Sequence, residues 1–307
     1  MQWDRGSRVI LERFDTYWGE APALTRATFL FIGDTATLIN ALLAGDVDGT
    51  NNMAAEALDV FRTDPRFKVL VGTTEGEVVL ATNNSKPPFD DIRVRQAMAH
   101  AIDRQALIDG VTYGYSQPIG SHFAPHNPYY IDLTGTYPHD LDRARELLAE
   151  AGHPDGFSAT LKLPPVGYAR NSGQILASQF AQIGIRLELI NVEWAQWLED
   201  VLTNHDFDLS IVAHVEPFDI GIYANPDYYF GYDNPEFAAL IETLNATTDD
   251  AQRKELAGEA QTILARDAVN GFLFELAQTG VWNAKLEGMW QNSPIEGVVL
   301  RGIHWVE

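Results

Sequence analysis

Strand patterns and helix patterns alternate through residues 159–212, and this alternation restricts the possible folds more than any other feature of the chain. The segments follow one another as strand, helix, strand, helix and strand, at 159–163, 172–183, 185–190, 194–203 and 207–212. That order predicts a βαβαβ unit whose parallel strands are joined by right-handed crossovers. The chain is therefore expected to have an α/β fold.

Turn and cap residues divide the remaining sequence into similar segments. Further strands are predicted at 8–14, 27–32, 67–71, 77–82 and 272–276, and further helices at 34–44, 94–108, 140–151, 234–245 and 249–268. Asp34 is the expected N-cap of the first of these helices, and Gly45 is its expected end. Asp90 or Asp91 is the expected cap of the second helix.

The composition indicates a globular, strongly acidic chain. Of its 307 residues, 46% are hydrophobic and 21% are charged, and no apolar run approaches the ~18 residues of a membrane helix. This length suggests two lobes. The 43 acidic residues exceed the 21 basic ones, and the net charge of −22 disfavours nucleic acid as a partner. Zero cysteines exclude disulfides, thiolate metal sites and cysteine nucleophiles.

Three separate segments carry a resemblance to a known family. In chain order they read WGEAPALTRATFLFIGDTATLINALLAGDVDG, NNSKPPFDDIRVRQAMAHAIDRQALIDG and YPHDLDRARELLAEAGHPDGF. Together they resemble the family 5 solute-binding proteins of ABC transporters, the group that includes dipeptide, oligopeptide and nickel receptors. The resemblance covers nearly the whole chain.

The resemblance implies a two-lobed fold of the periplasmic-binding-protein type (type II, cluster C) with lobe one incomplete, because family members begin with further sequence. The expected divisions are part of lobe one, a hinge strand, a complete lobe two, a hinge return and a return to lobe one, at 1–80, 81–84, 85–273, 274–282 and 283–307.

The function implied by the resemblance is capture of a peptide-like or small polar solute in an inter-lobe cleft by hinge closure, and its delivery to an ABC permease. Such a receptor is expected to be periplasmic, to act as a monomer and to need no cofactor. The first residues, MQWDRGSRVILERF, have no signal-peptide pattern. Two alternatives stay open, namely the ligand-sensing domain of a transcription regulator and a hydrolase that acts in the cleft.

A ring-rich segment, AHVEPFDIGIYANPDYYFGY at 213–232, follows the strand 207–212. The carboxyl ends of parallel strands are where α/β folds form ligand crevices. Tyrosines combine apolar faces with hydroxyl groups that can bind a partly polar solute. The candidate ligand-binding residues here are His214, Glu216, Asp219, Tyr223, Tyr228 and Tyr229.

The resemblance implies that one acid of this segment pairs with the amino terminus of a peptide, and both Glu216 and Asp219 are candidates. The alternative for the whole segment is structural, with rings that pack the rim of the lobe and acids that cap turns.

Five further residues are candidates at neighbouring positions. Tyr168 and Arg170 follow the strand 159–163, and the resemblance implies that Arg170 binds a carboxylate, for which a guanidinium is suited. Trp194 follows the strand 185–190. Asn83 and Asn84 end the first hinge strand, although asparagines at such positions are more often turn residues.

Neither a metal site nor an enzyme is predicted. Of eight histidines only His122 and His126 are close in sequence, and prolines near them argue against the helical spacing of a metal motif. GxSxG, HExxH, P-loop and strand-linked GxGxxG motifs are absent from the sequence. Acidic pairs such as Asp249 and Asp250 are explained by helix capping.

Overall fold

The computed structural model of the protein describes residues 1–293 and 297–307. The chain forms two compact units, one of Met1–Thr74 with Ala277–Glu307 and one of Glu75–Leu276. Part of the predicted return to lobe one, residues 294–296, lies outside the described residues.

Strands and helices are numbered in chain order. The strands are β1 (Gln2–Asp4), β2 (Arg8–Glu12), β3 (Arg26–Leu30), β4 (Gly49–Thr50), β5 (Phe67–Thr82), β6 (Gln117–Pro118), β7 (Ser158–Leu163), β8 (Arg186–Asn191), β9 (Leu209–His214), β10 (Gly271–Asn283), β11 (Leu286–Glu287) and β12 (His304–Trp305). The α-helices are α1 (Thr35–Ala44), α2 (Leu58–Arg62), α3 (Ile92–Ala101), α4 (Arg104–Thr112), α5 (Leu141–Glu150), α6 (Gly167–Ala181), α7 (Trp194–Trp197), α8 (Pro235–Ala246) and α9 (Asp250–Arg266). Both boundaries between the units fall within strands, one in β5 and one in β10.

The first unit contains a three-stranded antiparallel sheet in the order β1, β2, β3. The caps predicted for α1 are confirmed. The Asp34 carboxylate accepts a hydrogen bond from the Thr37 backbone N–H, and Gly45 ends the helix at a φ of 79°, which favours glycine. In the same unit β4 pairs with Val281 and Trp282 of β10, and β11 pairs with β12.

The second unit is built on a sheet in which β10, β5, β9, β7 and β8 lie side by side in that order. β7 is parallel to both β8 and β9, whereas β5 runs antiparallel to β9. The predicted βαβαβ order is therefore present as β7, α6, β8, α7 and β9, and the α/β class is confirmed.

Apolar residues of the second unit form two clusters that meet different faces of this sheet. Val78 and Leu80 of β5 belong to a cluster that includes residues of α3 to α6. Val79 and Ala81 belong to a second cluster, with residues of α8 and α9. Successive side chains of a strand point to opposite faces, so a strand covered on both sides is apolar at every position. This explains why β5 has no alternation of polar and apolar residues at 78–81.

Several predicted boundaries are wrong. The separate strands at 67–71 and 77–82 form one strand, β5. The helix predicted through Ile108 is two helices, because the backbone is extended at Ile102 and Asp103 caps α4. Of the two caps predicted for α3, Asp91 is the one that the structure confirms.

Two further corrections concern the candidate site. α6 begins at Gly167 instead of 172, so Tyr168 and Arg170 lie in its first turn instead of before it. β9 extends to His214 instead of 212. The helix predicted at 194–203 is helical throughout, as α7 and a π-helical segment, Leu198–Thr203, that continues it.

Candidate functional site

The carboxyl ends of β7, β8 and β9 share one edge of the sheet because these strands are parallel neighbours. The segments that leave this edge carry most of the candidate residues. Tyr168 and Arg170 follow β7, Trp194 follows β8, and the ring-rich segment begins at the end of β9. The structure therefore brings these parts of the sequence to a common edge.

A buried polar network lies behind the ring-rich segment. Nε2 of His122 is 2.7 Å from Oδ1 of Asp219, and Nδ1 of His214 is 3.6 Å from Oδ2 of the same carboxylate. The Tyr223 hydroxyl lies 3.1 Å from Nδ1 of His122 and accepts a hydrogen bond from the Asn270 amide. His122 is fully buried, so water does not solvate its ring. The adjacent Asp219 carboxylate is therefore the group that stabilises a positive charge on His122.

Burial and charge in this region shift three pKa values. Burial disfavours the imidazolium of His122, but the adjacent Asp219 carboxylate outweighs burial and raises the pKa of His122. Burial likewise opposes ionisation of Asp219, but His122 outweighs it and holds the pKa of Asp219 well below its ordinary value. Burial raises the pKa of Glu77 to about 8, so this carboxyl group is mostly protonated at neutral pH. Asp219 is thus a charged group that is already paired within the protein.

The segment that follows β6 contacts the same region through His126, which pairs with Glu75 of β5, and through Asn127. Nε2 of His126 is 2.8 Å from Oε1 of Glu75, and Glu75 is 7% exposed. The Asn127 amide donates a hydrogen bond to the Pro217 carbonyl at 2.8 Å. These contacts hold the turn that contains Glu216 and Asp219.

The rings of the candidate segment differ sharply in exposure. Tyr223 and Tyr229 are each 1% exposed and belong to the apolar cluster around α8 and α9. The Tyr229 hydroxyl lies 3.0 Å from Nε2 of His214. These two rings present no face to solvent and pack the lobe, which was the structural alternative for the segment. Tyr228 is half-buried, and Phe218, which the sequence analysis did not select, is 61% exposed.

Arg170 and Trp194 present accessible side chains at the same edge. The Arg170 side chain is 39% exposed, and its Nη2 lies 3.7 Å from Oε1 of Glu193, which is too long for a hydrogen bond. Trp194 is 41% exposed and contacts Trp197 edge to face. The Tyr168 hydroxyl accepts a hydrogen bond from the Ala213 backbone N–H, which ties the start of α6 to β9.

Asn83 and Asn84 lie apart from this group. Both are buried, at the amino end of β9, whereas His214 ends that strand. The Asn83 amide donates to the carbonyls of His205 and Phe207. The Asn84 amide donates to three carbonyls, those of Thr82, Phe230 and Val269. Their donors are therefore used to hold the backbone.

His122, Glu77 and a cavity near Phe218 were not predicted from the sequence as parts of a site. The cavity measures about 330 Å³, at the lower end of small-molecule pockets, and is lined by Asp219, residues 220–222, and residues of α8 and α9. No local pattern signals these features, since His122 and Asp219 are 97 residues apart in sequence.

Comparison with known proteins identifies the family. Residues 1–234 match the model of the bacterial extracellular solute-binding proteins, family 5, in its middle region. The chain belongs to this family. Membership confirms the resemblance found in the sequence.

Curated relatives are similar over most of the chain. Heme-binding protein A of Haemophilus influenzae is 28% identical over 83% of this chain and 49% of its own length. The periplasmic oligopeptide-binding protein OppA of Escherichia coli is 26% identical over 99% of this chain and 59% of its own length. The chain thus spans about half the length of the curated relatives it matches.

Solved structures agree in fold. The periplasmic binding protein DppA of Helicobacter pylori, in complex with the peptide STSA, matches 99% of this chain and 62% of its own with a TM-score of 0.88 at 21% identity. AgaA of A. tumefaciens, in complex with agropinic acid, matches 100% of this chain and 66% of its own with a TM-score of 0.87 at 23% identity. None of the helices in the described ranges combines the length and apolar content that crossing a bilayer requires.

Proposed function

We propose that the protein is the solute-binding component of an ABC importer, and that it binds a peptide-like or small polar solute at the shared carboxyl edge of β7, β8 and β9. Family membership supports the receptor role. Relatives named for oligopeptides and dipeptides, and a relative solved with the peptide STSA, support the solute class. The receptor acts in the periplasm as a monomer, hands the solute unchanged to the permease and has no nucleic-acid partner.

The observation that carries the proposed solute class is the presence of accessible groups of both charges beside exposed rings. Arg170 is loosely paired and suits a carboxylate, whereas Glu216 is exposed and suits an amine. Trp194 and Phe218 offer apolar faces. Of the two acids considered, Glu216 is the proposed amine partner, because it is exposed, whereas Asp219 is mostly buried and already contacts His122.

Isothermal titration of purified protein with dipeptides, tripeptides, opines and sugars in metal-depleted buffer tests this proposal. We expect R170A and E216A each to weaken binding of a zwitterionic peptide about tenfold or more, because each removes one charged partner. R186A and E188A are matched controls, since both residues are exposed on β8 and Arg186 begins that strand at its opposite end. They should bind as the unsubstituted protein does.

Failure of every solute class to bind would argue against the receptor role for this chain. Unchanged peptide affinity in R170A and E216A would instead remove these two residues from the site and leave the receptor role intact.

A further inference from the structure

The turn after β9 brings three metal-ligating side chains together. His214 ends the strand, and Glu216 and Asp219 follow within five residues. One ligand atom from each, a ring nitrogen or a carboxylate oxygen, lies within 4.8 Å of the others. Within residues 1–293 and 297–307, His214, Glu216 and Asp219 form a group of one imidazole and two carboxylates that are close enough together to hold one metal ion.

The distance between His214 and Asp219 fits two ligands of one ion better than a hydrogen bond. Nδ1 of His214 is 3.6 Å from Oδ2 of Asp219. An N–H···O hydrogen bond in proteins is about 2.7–3.2 Å long. Two atoms that each lie about 2.1 Å from a tetrahedral zinc ion are about 3.4 Å apart. The observed distance between Nδ1 of His214 and Oδ2 of Asp219 is therefore close to the distance between two ligand atoms of one zinc ion.

Groups outside the trio orient both ligands. Nε2 of His214 lies 3.0 Å from the Tyr229 hydroxyl, so a hydrogen on Nε2 can be donated to that oxygen while Nδ1 keeps its lone pair. Oδ1 of Asp219 forms a hydrogen bond with Nε2 of His122, and the other carboxylate oxygen, Oδ2, faces Nδ1 of His214. Residues that form hydrogen bonds with metal ligands in this way fix the tautomer and the orientation of those ligands.

The trio also has an approach from solvent. The His214 side chain is 9% exposed and the Asp219 side chain 17% exposed, whereas Glu216 is exposed. An ion can therefore reach the buried imidazole past Glu216. Three protein ligands leave a coordination position for water or for a donor atom of a solute.

We propose that His214, Glu216 and Asp219 form a binding site for one divalent transition-metal ion of the zinc type. A ligand set of one imidazole and two carboxylates suits such an ion, since imidazole favours zinc over calcium or magnesium. The site goes beyond the proposed solute binding, because it needs no organic ligand. No metal site was predicted from the sequence, because paired histidines are the usual local signal of one and this trio contains a single histidine.

Titration of Zn²⁺ into metal-stripped protein without solute tests the proposal. We expect one ion per chain, and a loss of affinity of at least about tenfold in H214A and in E216Q. H139A is the matched control, because His139 is an exposed histidine outside the turn after β9 and outside the contacts that hold this turn, and the zinc affinity of H139A should stay within about twofold of the unsubstituted protein. E216Q changes an exposed side chain, so this variant should keep the fold. The His214 side chain is nearly buried, so circular dichroism is used to verify that H214A is folded.

A second measurement uses Co²⁺ in place of zinc. The visible absorption of bound Co²⁺ reports its nitrogen and oxygen ligands, and the bands should be lost or shifted in E216Q and retained in H139A. Absence of stoichiometric zinc binding, or equal zinc affinity in E216Q and the unsubstituted protein, would overturn the proposal. Because the solute titrations use metal-depleted buffer, their failure would not affect this result.

Discussion

At the scale of single residues, Asp219 is the side chain on which most of the site depends. Its carboxylate faces two histidines, one fully buried and one nearly so, and the nearer of them, His122, holds the pKa of Asp219 below its ordinary value. Glu216, three positions earlier, is exposed. The two acids look equivalent in the sequence, and their surroundings give them different roles.

Replacement of Asp219 by asparagine should destabilise the second unit. The substitution leaves His122 buried without its charged partner, and such a loss costs about 3 kcal/mol of the free energy of unfolding. Urea denaturation at pH 7, followed by circular dichroism, measures the change. Asp227→Asn is the control, because Asp227 is exposed in the same segment and should change stability by less than about 0.5 kcal/mol. Equal stability of the two variants would contradict the role assigned to Asp219.

At the scale of elements, the turns that precede β7 and β8 set the position of these two strands. The segments that follow the strands carry Arg170 and Trp194, so the same turns also position these two side chains. Gly156 lies before β7 with a φ of 74°, and Gly184 lies before β8 with a φ of 84°. The two glycines touch. A Cβ added at Gly156 would lie 2.1 Å from the Gly184 carbonyl oxygen, which is backbone and has little freedom to move.

Gly156→Ala should therefore cost more than Gly152→Ala. Both positions have positive φ, and an alanine there costs about 1–2 kcal/mol. Gly152 has open space around an added Cβ, so only this backbone cost applies. At Gly156 the clash with Gly184 adds about 1–3 kcal/mol. Urea denaturation of the two variants measures the difference, and equal costs would show that the contact between the turns relaxes freely.

At the scale of the whole molecule, the excess of acidic residues is the dominant electrostatic property. A net charge of −22 favours solubility but destabilises a compact state through self-repulsion. Individual ion pairs offset part of this repulsion, and several of them are exposed, such as Arg143 with Glu146 and Arg145 with Asp142. Exposed pairs of this kind contribute little to stability.

The melting temperature should consequently rise with NaCl concentration at pH 7. The screening length falls from about 30 Å at 10 mM salt to about 10 Å at 100 mM, so most of the rise should occur below about 0.3 M. Differential scanning calorimetry across this series measures it. A sucrose series, which leaves charge repulsion unscreened, is the control. A melting temperature that is constant or falls over this range of NaCl would contradict net repulsion as a destabilising force.

Local sequence patterns predicted a large part of the fold. The caps of α1, the order β7, α6, β8, α7 and β9, and the α/β class were correct, because capping and periodicity depend on residues within a few positions of one another. Boundaries failed where no local signal marks the change. The residues between 71 and 77, which contain two glycines, were predicted to separate two strands, yet they continue β5.

Composition and contiguous motifs were sufficient to predict the class of fold, the acidic character of the molecule and the family to which it belongs. They could not show that Tyr223 and Tyr229 are interior, that Asp219 contacts His122, or that His214, Glu216 and Asp219 converge. These features appear only in the folded chain, because burial and charge pairing depend on partners distant in the sequence. For Asp219 that partner lies 97 residues away, and only folding brings the two together.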